Sequence, residues 1–114
     1  MQLDYESVGM EDRLAQTTEL SIYRIIQELI NNSIKHAGAT ETFIQLHRHN
    51  EMLTITVEDN GKGFSPKETG NGIGLSNIQS RVSFLNGKMD IRSEQQKGTS
   101  VYIEILLNKH EQAA

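Results

Sequence analysis

Five of the chain's nine glycines (Gly61, Gly63, Gly70, Gly72 and Gly74) crowd into the stretch DNGKGFSPKETGNGIGLS, residues 59 to 76. Glycine inside a regular element costs roughly 0.5–1 kcal/mol relative to alanine. Such a cluster is therefore either a long turn or a backbone that must come close to something. Its second half, GNGIGLSNI, leads straight into an apolar helical pattern. The first amides of a helix have no partners within it, and together with the aligned peptide dipoles they attract anions, phosphate above all. Two familiar phosphate motifs do not fit. No G-x-x-x-x-G-K-[ST] string is present, and Gly72-Ile73-Gly74 lacks the third glycine of a dinucleotide fingerprint and follows a loop.

Two polar residues sit where an apolar one is expected. In LTITVED the apolar phase is Leu53, Ile55, Val57, and its next member is Asp59. Strand side chains alternate between faces, so this carboxylate points toward the core at the strand's end. Either it caps the turn by accepting amides between Gly61 and Gly63, or it receives a donor from outside, such as a ligand's amino group. The phase Thr99, Val101, Ile103, Ile105, Leu107 likewise begins with a hydroxyl. Threonine is an ordinary strand residue, yet an acid and a hydroxyl at strand ends also make a small polar floor for an apolar pocket. A third feature lies on a helix. At about 100° per residue, with Glu28 at zero, Asn32 falls near 40°, Lys35 near 340° and Asn31 near 300°. The apolar residues Ile22, Ile26, Leu29, Ile30 and Ile34 span about 100° to 240°. Glu28, Asn31, Asn32 and Lys35 thus share one polar face, either merely solvated, the commoner case for a helix, or built to hold something; two adjacent asparagines, poor mid-helix residues, weaken the first reading without removing it.

The elements that carry these residues follow from periodicity. Thr18 to Ala37 reads as a helix, with Thr17 or Thr18 as its cap, Glu19 in its first turn and Gly38 as a left-handed terminator. TFIQLHRH and MLTITVED alternate with period two and are joined by NE, an antiparallel hairpin. Leu75, Ile78, Val82 and Leu85 form the stripe of a second helix that ends at Asn86-Gly87, and KMDIRSE and TSVYIEILL form a second hairpin around QQKG. MQLDYESV alternates weakly, as an edge strand would. The expected fold is α+β, a two-layer sandwich with a mostly antiparallel, mixed sheet covered on one face by helices.

The 114 residues, 36% hydrophobic and 23% charged, bound a single domain over residues 1–108, with 109–114 as a tail. A net charge of −4 argues against general nucleic-acid binding. The absence of cysteine excludes disulfides and thiolate metal sites and fits a cytoplasmic setting. The sequence has no apolar run of ~18 residues, so this domain is expected neither to span nor to contact a membrane, and the start is acidic where a secretory signal would be basic.

In order and spacing, QELINNSIKHA, DNGKGF, GNGIGL and KGTSV resemble the N, G1 and G2 boxes and final Gly-Thr of sensor histidine kinases. These belong to the GHKL ATPase superfamily shared with DNA gyrase and the mismatch-repair protein MutL. The resemblance runs from about Met1 to Leu107 and implies the Bergerat ATP-binding fold with ATP and Mg2+ as cofactors. It implies that Asp59 takes the adenine amino group, with Thr99 beside it holding a water that reads the base. Gly61 and Gly63 would let the strand end approach the nucleotide. Gly72, Gly74 and Leu75, with the helix amides that follow, would wrap the phosphates. Asn32 would coordinate magnesium, Glu28 would occupy the general-base position, Lys35 would be the phosphate counter-charge, and Asn31 would assist. His36 completes the KHA box and is not expected to be a phosphoacceptor.

Two departures refine the resemblance. No F box is present, and only eight residues separate Gly63 from Gly72. This short lid is similar to that of the nitrate-sensor-like class. None of His36, His47, His49 and His110 lies in an acceptor helix. The implied partners are therefore ATP, a dimerisation and phosphoacceptor domain outside this chain, and a response regulator downstream, in a parent with or without a membrane anchor. The alternatives are a nucleotide-holding switch module, an anti-sigma-factor-like serine kinase, and an inert interaction domain whose glycine region is only a loop.

Overall fold

The computed structural model describes residues 2–11, 14–35, 38–63, 75–94 and 96–107. Among the described residues, five strands and two helices follow one another as β1 (Gln2–Val8), α1 (Gln16–Lys35), β2 (Glu41–His49), β3 (Met52–Asp59), α2 (Leu75–Phe84), β4 (Gly87–Glu94) and β5 (Gly98–Leu106). The strands form one mixed sheet in the order β1-β2-β3-β5-β4. β1 runs parallel to β2, and every other pairing is antiparallel. Both hairpins and the edge strand are where the alternation of the sequence predicts them. Among the described residues, no helix is long and apolar enough to cross a membrane.

The helices cover one face of the sheet. Ile22, Ile25 and Leu29 of α1 and Ile78 and Val82 of α2 are buried against Ile44, Leu46, Leu53, Ile55, Val57, Val101, Ile103 and Ile105. Stacking β-branched rows under two amphipathic helices is what period-two and period-3.6 patterns of this kind require. Gly38 ends α1 in the left-handed region, φ +61, while Ala39 N–H donates to the Ser33 carbonyl. Asn86, φ 58, performs the same turn after α2.

Two expectations about α1 are corrected. The helix begins at Gln16, so Thr17 and Thr18 lie inside it, and Thr18 is buried. Its start is held instead by Glu19, whose carboxylate accepts the Leu14 N–H at 3.2 Å, with Leu14 itself fully buried. The buried line of α1 is Thr18, Ile22, Ile25, Leu29 and Ser33. In the same helical projection it spans about 60° to 140°, not 100° to 240°. Ile34 is therefore exposed, and Glu28 and Asn32 flank the buried arc, half-buried, instead of standing opposite it. The cause is α2, which packs along the Glu28 side of α1.

Candidate nucleotide-binding site

The register of the sheet turns isolated sequence oddities into one row. Thr42 pairs with Asp59, Asp59 with Thr99, and Thr99 with Ser93, so four polar residues cross β2, β3, β5 and β4 in line. Two residues further in, the same strands present Ile44, Val57, Val101 and Ile91. The helix-covered face is apolar until its last row, and there it becomes polar. Thr42 is buried, while Asp59, Thr99 and Ser93 are half-buried.

Asp59 is held from two sides. Its Oδ1 accepts the Gly61 N–H at 2.9 Å, which realises the expected turn cap. Its Oδ2 accepts the Ser33 hydroxyl at 3.0 Å. Ser33 is a buried residue of α1, and its Oγ also lies 3.2 Å from the Leu29 carbonyl. With one proton and two acceptors, that hydroxyl serves either group in turn. The carboxylate is thus aimed and retains acceptor capacity, since each oxygen has two lone pairs. Across β5, Thr99 Oγ1 and Ser93 Oγ lie 2.8 Å apart. The acid and the hydroxyl singled out in the sequence are therefore neighbours, with Thr42 and Ser93 completing the row and Ser33 reaching it from α1.

The segment after β3 is fixed by the protein's own backbone. Asn60 Oδ1 accepts the N–H groups of Thr40 and Glu41 at 3.0 and 2.9 Å, and its Nδ2 donates to Thr40 Oγ1. Lys62 O accepts the Gln96 N–H. Gly63 adopts φ +66, and a Cβ there would overlap the Glu94 carbonyl; a Cβ at Gly98, φ +106, would overlap the carbonyl of Asp59. At these two positions glycine is required because the loop after β3 presses on the β4–β5 turn. Gly61 is buried beside Asp59.

The proposed metal and phosphate residues divide. Glu28 and Asn32, one turn apart on α1, are both half-buried, and Glu28 faces Arg81 of α2. Asn32 offers an amide oxygen, a hard donor of the kind magnesium accepts alongside phosphates and water. Among the described residues, no group of three or more His, Cys, Asp or Glu could hold a metal by itself. Glu28 has a neighbour that the sequence pattern does not single out: Arg81 of α2, with its Nε 3.9 Å from Glu28 Oε1. Asn31 is not brought to this group. It is exposed and lines a separate apolar groove of about 420 Å³ with Tyr5, Tyr23, Ile26 and Ile30. Lys35 and Leu75 are placed as backbone, in the last turn of α1 and the first of α2. Gly72, Gly74, His36 and the lid lie outside the described residues.

Residues 17–109 match the family described as "Histidine kinase-, DNA gyrase B-, and HSP90-like ATPase". The chain is 31% identical over 110 residues to the signal transduction histidine-protein kinase/phosphatase DegS of Brevibacillus brevis, covering 96% of this chain and 28% of that protein. It is 38% identical over 93 residues to the sensor histidine kinase ComP of Bacillus subtilis, covering 79% of this chain and 12% of that protein. Its fold is similar to the Acinetobacter baumannii histidine kinase AdeS, with a TM-score of 0.74 at 18% identity over 95% of this chain and 56% of that one.

Proposed function

Since the chain belongs to the family of histidine kinase-, DNA gyrase B- and HSP90-like ATPases, we propose that it is the ATP-binding catalytic domain of a two-component sensor histidine kinase. Its relatives are much longer, this chain spanning 28% of one and 12% of another. The acceptor histidine belongs, on this reading, to a helical dimerisation domain elsewhere in the parent, with a response regulator downstream and the domain facing the cytoplasm.

One observation carries the reading: a polar row closes an apolar sheet face, and its central carboxylate is aimed by Ser33 and Gly61. Such a floor suits a flat apolar base bearing one donor. The adenine ring takes the apolar side, Asp59 accepts the exocyclic amino group, and Thr99 holds the water beside it. The triphosphate then runs toward the start of α2, where Gly72, Gly74 and the Leu75 amide receive it and Lys35 balances its charge. Asn32 would hold magnesium, which when bound neutralises charge on the phosphate oxygens. Asn31 stays outside this set, because it lines the separate groove.

In the transfer, an imidazole nitrogen of the acceptor forms the new N–P bond to the γ-phosphorus. The bond from that phosphorus to the bridging oxygen breaks, and ADP leaves with the electron pair. The acceptor's proton passes to the Glu28 carboxylate. Most of the catalysis in such a step is placement and charge neutralisation.

The test is a calorimetric titration of this chain with a non-hydrolysable ATP analogue, with and without magnesium. Binding is expected in both conditions and tighter with the metal, and Asn32→Ala should erase the increment while leaving metal-free binding intact. Absence of binding at saturating analogue overturns the function, and equal affinity in both conditions overturns the Asn32 assignment.

A further inference from the structure

Glu28 and Arg81 meet across the seam between α1 and α2. Arg81 Nε stands 3.9 Å from Glu28 Oε1, beyond hydrogen-bonding distance but within that of an ion pair. The Arg81 and Glu28 side chains keep 38% and 31% of their exposure, yet Arg81 Nε and the second carboxylate oxygen, Glu28 Oε2, are buried and have no hydrogen-bond partner. Buried polar atoms of this kind are uncommon and call for an explanation. A cation in the last turn of α2 is favoured by the helix dipole alone. That explains why a basic residue stands there, but not why its Nε is turned into the seam toward a carboxylate. Attraction between the two charges explains both the direction and the distance.

We propose that Arg81 is a positioning residue for phosphoryl transfer, its guanidinium holding the Glu28 carboxylate in the α1–α2 seam, one turn from Asn32. The proposal rests on the assignment of Glu28 as general base. Because no hydrogen bond joins the pair, charge does the holding and the fork geometry of arginine is not needed. Lysine should therefore substitute, whereas a neutral side chain of similar length should not.

The experiment is steady-state histidine phosphorylation by the full-length kinase, with ATP-analogue affinity measured in parallel. Arg81→Met should lower the transfer rate about ten- to a hundredfold, the upper figure being what a misplacement of about 1 Å can cost, while KM for ATP and analogue Kd stay within about twofold. Arg81→Lys should return most of the rate. In a Glu28→Gln background, Arg81→Met should cost nothing more, because the two residues act as a unit. Should Arg81→Met fail to fold, Arg81→Gln makes the same comparison against Arg81→Lys.

An undiminished loss in the Glu28→Gln background overturns the proposal. So does an Arg81→Lys variant as slow as Arg81→Met, or ATP affinity that falls in step with the rate. Wild-type transfer by Glu28→Gln removes the base assignment and this proposal together. A wild-type protein that binds no ATP rejects the proposed function itself, which separates the two failures.

Discussion

Replacing Asp59 by asparagine changes one oxygen to an amide nitrogen at constant shape, and the surrounding bonds determine the cost. The remaining oxygen can keep the Gly61 N–H, now 2.9 Å from Oδ1. The new NH2 faces Ser33, 3.0 Å from Oδ2. Ser33 has a second acceptor, the Leu29 carbonyl at 3.2 Å, so its hydroxyl can turn there and accept from the amide instead. The fold thus loses only the charge assistance of two bonds, about 1 kcal/mol, or about 4 °C of melting temperature for a domain of this size. The ligand loses more. An adenine amino group donating to a charged acceptor is worth about 1.5–3 kcal/mol, which is roughly a ten- to 150-fold rise in Kd.

Inosine triphosphate sharpens the experiment, since it carries an oxygen where adenine carries the amino group. The wild-type carboxylate repels that oxygen, whereas the amide of Asp59→Asn can donate to it. Calorimetry with both nucleotides should therefore show the variant losing ATP affinity and gaining relative affinity for inosine triphosphate. An equal loss for both nucleotides would mean that Asp59 supports the loop and does not read the base. Unchanged ATP affinity would refute the purine seat altogether.

Ser33→Ala leaves a half-buried carboxylate one donor short. It should cost about 1–2 kcal/mol of stability and weaken ATP less than Asp59→Asn does; an unaltered thermal melt would show that the bond contributes nothing. Gly63→Ala must accommodate a Cβ at φ +66 against the Glu94 carbonyl. The left-handed conformation alone costs about 1–2 kcal/mol, so a melting temperature at least about 4 °C lower is expected, and an unchanged one would show that the loop can move off the β4–β5 turn.

Asp59 and Thr99 were legible because each extends an apolar phase by one member. The same rule, applied to the other two strands, reaches Thr42 before Ile44 and Leu46, and Ser93 after Met89 and Ile91. What the sequence could not supply is register. Only the pairings Thr42–Asp59, Asp59–Thr99 and Ser93–Thr99 make the four one row, and register depends on turns as well as on alternation. Ser33 was legible only in part. At about 140° it falls inside the expected apolar stripe, but a stripe drawn through Ile26, Ile30 and Ile34 gives no sign that Asp59 lies beneath it. Those isoleucines are apolar without being central, since Ile34 is exposed. Helical periodicity gives a face to within a few tens of degrees, and the neighbour that fixes the rest, α2, is a long-range contact. Arg81 escaped for that reason too.

On the proposed function, position along α1 lets one helix serve both ends of a nucleotide. Ser33 and Asn32 are consecutive, so their side chains diverge by about 100°. The first points down to Asp59 on the sheet, and the second, half-buried, falls about 40° from Glu28 in projection. Glu28 is one turn back, about 6 Å along the axis, and Arg81 meets it from the other helix. The base seat and the proposed metal and acid–base positions are therefore set by the register of a single rigid element. Local changes should then separate cleanly: loss of the Ser33 hydroxyl loosens the acid beneath the base and leaves Asn32 and Glu28 where they stand. A change that rotates or frays the helix between them cannot be selective. Leu29 is the residue to ask, buried between Glu28 and Ser33 and anchoring that turn.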